Sequence, residues 1–243
     1  FLTSLVEMIS PLLGGLLIFY FQYQGLYLGA LAFALLGVFL LKLIPDEKTT
    51  IDVKVKEVFK LFLKKKNWFL IYFSQGIKGG LYTTAFLLYL FLILKKELSF
   101  GFFLTGAIFI VALIRVAIGY WIDKRDYQSL FLIGNFIYSL VWLFRFLGKT
   151  TPLFFLAEIG DRIASSLVDI PTEAISCKKA ITGQSTARAV LFRETAICLG
   201  QIFSVLILLL LILIKIPLQY SFFAGIIFSF LPLVLTKGIQ KKV

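Results

Sequence analysis

The chain has no histidine and only two cysteines among 243 residues. Lacking histidine, it lacks the commonest metal ligand and the usual general base near neutral pH. Cys177 and Cys198 match no metal-ligand or redox spacing and read as small packing residues. No metal site and no cofactor are therefore expected. Charged residues are also scarce, at 16% of the chain, against 60% hydrophobic residues and a mean hydropathy of +0.95. A soluble domain of this length carries a more charged surface. No ten-residue alternating pattern marks a membrane β-barrel, and no signal-peptide pattern opens the chain. The chain begins on Phe1 inside an apolar segment, as expected of a piece of a longer protein.

Long apolar runs, by contrast, are abundant, and phenylalanine occurs 27 times. A run of about 20 residues spans the roughly 30 Å hydrocarbon core of a bilayer as a helix. The expected fold is all-α, a polytopic membrane protein with about eight spans, near residues 2–21, 25–44, 67–94, 100–122, 128–147, 152–176, 187–214 and 219–236. The net charge of +12 comes from Lys and Arg grouped in particular loops. They read as topology signals and not as a nucleic-acid surface. Lys48 to Lys66, Lys124 and Arg125, Lys178 to Arg188, and Lys237 to Lys242 fall on one side, which places both termini in the cytoplasm. The expected location is a bacterial-type inner membrane, with lipids as the surrounding partner.

Residues 45–66 join the second and third spans. Val55, Val58, Phe59 and Phe62 recur at helical spacing, with Lys54, Lys60 and Lys64 on other faces. This predicts a basic amphipathic helix on the cytoplasmic membrane surface. It divides the chain into residues 1–44, this linker, and a bundle over 67–243.

Two short stretches carry a resemblance. "SPLLGG" places Pro11, Gly14 and Gly15 in the first span, where Pro weakens the helix and Gly admits a close neighbour. "GYWIDKRD" ends the fourth span with Gly119, Asp123 and Lys124. Read alone, it is a short positively charged turn; Asp123 could also cap a neighbouring helix N-terminus. Together the two stretches resemble the major facilitator superfamily of secondary transporters. That family carries Gly-x-x-x-Asp-Arg/Lys-x-Gly-x-Arg/Lys-Arg/Lys in a cytoplasmic loop of each half. Gly119, Asp123 and Lys124 match its first part, whereas Asp126, Tyr127 and Gln128 depart from the rest. Its fifth helix often carries Gly-Pro-x-x-Gly-Gly, and Ser10 stands here for the first Gly. The resemblance implies that the chain corresponds to helices five to twelve, with four helices preceding it as a further partner. It also implies that Asp123 lies near Thr3 and Ser4 of the first span, forming a latch. By that resemblance the protein would move a small organic solute by alternating access, with the proton as the candidate coupling ion.

The sixth span is unusually charged. Glu158, Arg162, Ser165, Asp169 and Glu173 recur every three or four residues, and Asp161 lies beside them. Such groups are costly in lipid and face a cavity or a partner. Glu158 and Arg162 can pair at i, i+4. One reading makes this face the wall of a transport cavity, with Glu158 and Asp161 as proton carriers; the other makes it a set of structural ion pairs. In the third span, Gln75, Lys78, Tyr82, Thr83 and Thr84 interrupt an apolar helix. Lys78 could meet a carboxylate of the sixth span, bind an anionic substrate, or snorkel to the headgroups. The substrate and proton candidates are thus Gln75, Lys78, Glu158, Asp161, Arg162 and Asp169. Arg115 could snorkel or pair with Asp169, and Arg188, Arg193 and Glu194 could form an inner gate or contact headgroups. An enzyme is not expected, because Asp161 and Asp169 share one helix and cannot face each other as a dyad. The alternative to a transporter is a non-transporting membrane scaffold or assembly partner.

Overall fold

The structure, a computed structural model, describes residues 2–43, 55–124, 127–182 and 186–236. Within these, the side chains of 2–5, 7–8, 55–58, 114–124, 127–128, 171, 173–182, 186–187 and 236 are not described. All elements are helical. They are α1 (Leu2–Leu41), α2 (Val55–Lys64), α3 (Lys66–Leu81), a π-helical turn (Tyr82–Phe86), α4 (Leu87–Leu94), α5 (Glu97–Lys124), α6 (Tyr127–Leu147), α7 (Thr151–Thr182), α8 (Thr186–Leu213) and α9 (Ser221–Thr236). Among the described residues no strand occurs.

Five helical segments are long and apolar enough to cross a bilayer: Ile9–Leu41, Lys66–Leu94, Ser129–Leu147, Arg188–Leu213 and Leu218–Leu235. This is compatible with an integral membrane protein. The outward surface agrees, because Phe19, Phe33, Leu92, Phe102, Leu156, Leu206 and Leu213 are all exposed. In water such a surface would drive aggregation, whereas in lipid it is solvated. All eight sequence-predicted spans lie on helices, but not all of them satisfy the same measure. α7 carries too many charges, and α5 has a short described apolar stretch, Glu97–Leu113.

The first two predicted spans share α1, which breaks at Gln22 with φ 59° and ψ −170°. That conformation is close to glycine-only territory and costs a residue such as Gln about 1–3 kcal/mol. The two arms lie side by side across the break. A Cβ on Gly14 would stand 3.9 Å from Leu26 Cδ1, and one on Gly29 3.6 Å from Leu17 Cδ1. The two apolar arms thus fold back toward each other at Gln22.

Small residues set the helix crossings. α1 packs on α5, where a Cβ on Gly101 would meet the Pro11 carbonyl oxygen at 2.7 Å and one on Gly15 the Glu97 carbonyl oxygen at 3.2 Å. The register runs antiparallel. α3 and α8 cross in parallel register through Gly76 and Gly80 on one helix and Gly200 and Ser204 on the other. A Cβ on Gly76 would lie 2.1 Å from the Ile197 carbonyl oxygen, and one on Gly200 2.2 Å from that of Phe73. This is small-xxx-small packing on both partners. It brings two backbones together in a solvent where lipid-tail burial supplies no net drive.

α6 and α7 form an antiparallel hairpin, and α9 lies on the other side of α6. The central core is aromatic: Phe86, Phe154, Trp142 and Phe222 are fully buried and in mutual ring contact. Trp142 is therefore a core residue. The surface helix α2 differs in part from expectation. Phe62 turns toward the bundle and meets Phe69 and Phe192, with ring centroids 4.7 Å and 5.2 Å apart. Phe59, Lys60 and Leu63 remain exposed. Val55 and Val58 lie outside the described side chains.

The α3–α8 crossing generates a prediction. Gly76→Ala and Gly200→Ala should each destabilise the purified protein by about 1–3 kcal/mol through overpacking against backbone that cannot yield. Gly37→Ala, with open space around it, should be neutral or slightly stabilising, because alanine is the better helix former. Unfolding in detergent measures all three; an unaffected Gly76→Ala would refute the crossing.

Candidate functional site

The site begins with Arg145 in the last turn of α6. It is fully buried, and an isolated ion there would cost several kcal/mol. Its partners come from α7, one helical turn apart. Nη2 lies 3.0 Å from Glu158 Oε2, and Nη1 lies 2.8 Å from Asp161 Oδ1. The spacing of Glu158 and Asp161 at i, i+3 puts both carboxylates on the face that α7 turns toward α6. The guanidinium also rests on rings, with Cζ 3.8 Å from the centroid of Phe86 and 4.9 Å from that of Trp142. Such cation–π contact strengthens when water is excluded.

Glu158 is enclosed. Its Oε1 accepts from Arg162 Nε at 2.9 Å and from the Tyr82 hydroxyl at 2.7 Å. The Tyr82 oxygen in turn accepts from Arg162 Nη2 at 3.2 Å. Two guanidinium groups therefore balance two carboxylates, and Tyr82 ties the cluster to the third span. Tyr82 opens the π-helical turn Tyr82–Phe86. There the Thr84 hydroxyl donates to the Gly80 carbonyl at 2.6 Å, and that of Thr83 to Gly79 at 3.0 Å. One extra residue in the turn re-aims the side chains around it, a device common at functional sites.

Next to this cluster lies a cavity of about 200 Å³, lined by Gln75, Lys78, Gly79, Tyr82, Thr83, Tyr138, Asp161, Val168 and Asp169. Its volume equals about seven waters at liquid density. Lys78 is 4% exposed. Its ammonium donates to Asn135 Oδ1 at 3.0 Å and sits 4.2 Å from the Tyr138 ring centroid. Asn135 Nδ2 donates to the Phe131 carbonyl at 2.8 Å, which orients its oxygen toward Lys78.

Of the candidates read from the sequence, Gln75, Lys78, Asp161 and Asp169 converge on this cavity. Glu158 and Arg162 do not line it; they belong to the ion-pair cluster behind it. Lys78 is buried against α6 and does not snorkel. Arg193 donates from Nε and Nη2 to its neighbour Glu194, at 3.0 Å and 2.8 Å. Ser10, Pro11, Gly14 and Gly15 lie in the first arm of α1, where Pro11 and Gly15 serve the contact with α5. Gly119, Asp123 and Lys124 occupy the last turns of α5, and their side chains lie outside the described residues. So do Thr3, Ser4, Arg115 and Glu173. Among the described residues no group of His, Cys, Asp and Glu could hold a metal.

Sequence reading did not single out Arg145, Asn135 or Tyr138. A signal was present, because Asn135, Tyr138, Ser139, Trp142 and Arg145 recur at helical spacing through an otherwise apolar span. No family model, curated protein or solved structure matches the chain.

The enclosure of Glu158 yields an expected outcome. Glu158→Gln leaves two guanidinium groups facing one remaining carboxylate, so it should cost about 3–5 kcal/mol. Tyr82→Phe removes one hydrogen bond to a charged group and should cost about 1.5–3 kcal/mol. Unfolding midpoints in detergent rank the two; a Glu158→Gln protein as stable as the parent would show that the cluster does not hold the bundle.

Proposed function

We propose that this chain works as a secondary active transporter of the major-facilitator type, moving a small organic solute by alternating access. The observation that carries the reading is a polar cavity, built of Gln75, Lys78, Tyr138, Asp161 and Asp169, between helices whose outer faces are apolar. Charged groups are retained at such depth when they meet water, ions or cargo. The antiparallel contact of α1 with α5 also fits, since the "SPLLGG" stretch meets the start of the helix that ends in the partial Asp motif. In this reading the chain corresponds to helices five to twelve, crosses the membrane eight times, and keeps both ends in the cytoplasm of a bacterial-type cell.

The two acidic residues have separate roles in this account. Glu158 is a structural anion, locked by Arg145, Arg162 and Tyr82. Asp161 is bound to Arg145 on one side and lines the cavity on the other, which makes it the candidate to exchange a proton with a wetted site. Rocking of helices would break and remake polar contacts at the cavity edge while leaving the sealed cluster whole. No bond-making chemistry is required of any residue.

The second reading is a non-transporting membrane scaffold. The complete enclosure of Glu158 favours it, because a sealed ion-pair cluster also serves simply to fasten helices. The two differ in access. In a variant with Cys177 and Cys198 replaced by Ser, Thr83→Cys should react with a membrane-impermeant maleimide from either side of sealed vesicles if the cavity opens alternately. Reaction from one side only, or from neither, would contradict the transporter reading.

A further inference from the structure

We infer that Lys78 is the anchoring point for the carboxylate of a small solute carrying no more than one negative charge, bound in the cavity between α3, α6 and α7. This rests on the transporter reading and specifies the cargo that the same cavity takes.

Lys78 differs from the two guanidinium groups of the neighbouring cluster in having no carboxylate in direct contact. Arg145 and Arg162 each have a carboxylate within 3.0 Å. Lys78 has none within 4.0 Å among the described residues; its contacts are the neutral Asn135 amide oxygen and the Tyr138 ring. An ammonium has three N–H donors. One goes to Asn135 and one direction is covered by the ring, so a donor remains on the side that forms the cavity wall. Keeping a desolvated ammonium without an anion is costly. Asn135 and Tyr138 hold this one in place, while the carboxylates that act on it, Asp169 and Asp161, line the same cavity without touching it. A donor left facing a cavity that also holds carboxylates is placed to take the carboxylate of a solute whose other end is neutral or cationic.

The remaining lining restricts the ligand further. Asp161 and Asp169 are part of the same wall, so a second negative charge on the solute would meet carboxylates. Di- and tricarboxylates are disfavoured; monocarboxylates and zwitterions fit. Gln75 and Thr83 offer neutral polar partners, and Tyr138 an apolar ring face. The volume of about 200 Å³ suits a small solute and falls below that of pockets for drug-sized molecules, which run to about 300–1,000 Å³.

Lys78 also predicts an opposition between stability and binding. If the ammonium is held chiefly for a ligand, its removal costs binding more than folding. Lys78→Met should then unfold no more readily than the parent while losing ligand, a pattern that a structural lysine does not give. The test uses the full chain in lipid nanodiscs and four probes: lactate, L-alanine, succinate and tetramethylammonium. Lactate and L-alanine should raise the unfolding temperature in a saturable way, with succinate and tetramethylammonium at least tenfold weaker. Lys78→Met should weaken lactate and L-alanine at least tenfold without lowering the unfolding temperature of the ligand-free protein, and Lys78→Arg should retain part of the binding. Equal carboxylate binding by Lys78→Met, preference for tetramethylammonium or succinate, or no response to lactate and L-alanine would each overturn the inference. Labelling of Thr83→Cys from both membrane faces would still decide alternating access by itself, so failure of the cargo assignment is distinguishable from failure of the transporter reading.

Discussion

A guanidinium group cannot sit fully buried in an apolar bundle without anions beside it. Arg145 meets that constraint with two carboxylates from a single turn of α7, and much of the molecule follows. The pairing sets the register of the α6–α7 hairpin, because Arg145 must lie opposite Glu158 and Asp161. The second oxygen of Glu158 then requires donors of its own, which Arg162 and Tyr82 supply. Through Tyr82 the hairpin is bound to the third span, whose backbone widens into a π-helical turn at that point. In a low-dielectric surrounding these contacts are individually strong, and the loss of any one of them exposes another charge.

The same cluster divides the carboxylates of α7 by role. Glu158 is closed off on all sides. Asp161, three residues on, spans the boundary between cluster and cavity, and Asp169, two turns further, also lines the cavity. One helix thus carries a sealed ion-pair turn and a stretch that lines the cavity. Glycine contacts between α3 and α8 bring the third span close to α8. Lys78 faces α6 on the same helix, four residues before Tyr82. Sealed ion pairs and an open polar wall are therefore parts of one arrangement, with the first holding the helices that shape the second.

Much of this was legible in the sequence, and the reasons for the rest are physical. Hydropathy announced the helices because a bilayer dictates both their length and their polarity. It also separated the two arms of α1, since "QYQ" at 22–24 is the one polar break in that run. The charge period of α7 pointed to an inward face, and the i, i+4 spacing of Glu158 and Arg162 anticipated their pair. Arg145 escaped because an arginine one turn from a span end looks like one that reaches for headgroups. Only the position of α7 shows that it turns inward. Asn135 and Tyr138 escaped for a related reason: each is unremarkable alone, and their stripe acquires meaning only beside Lys78. Which of Glu158 and Asp161 would touch the cavity was not readable from periodicity, because the two differ by a single turn and the division is made by Arg162 and Tyr82. The π-helical turn has no periodic signature, although paired Thr83 and Thr84 after Gly79 and Gly80 supply the hydroxyls that bond to its backbone. The motif of Gly119, Asp123 and Lys124 remains an argument from resemblance.

The central claim is that Arg145 and Glu158 act as a coupled pair on which the bundle depends. A double-mutant cycle with Arg145→Met and Glu158→Gln, read as unfolding free energy in detergent, addresses it most directly. The account predicts that the two losses are strongly non-additive, with the double variant recovering at least about 1.5 kcal/mol relative to the sum of the single variants. Losses that add to within about 0.5 kcal/mol would mean that the two groups are neighbours without being partners, and the account would be wrong.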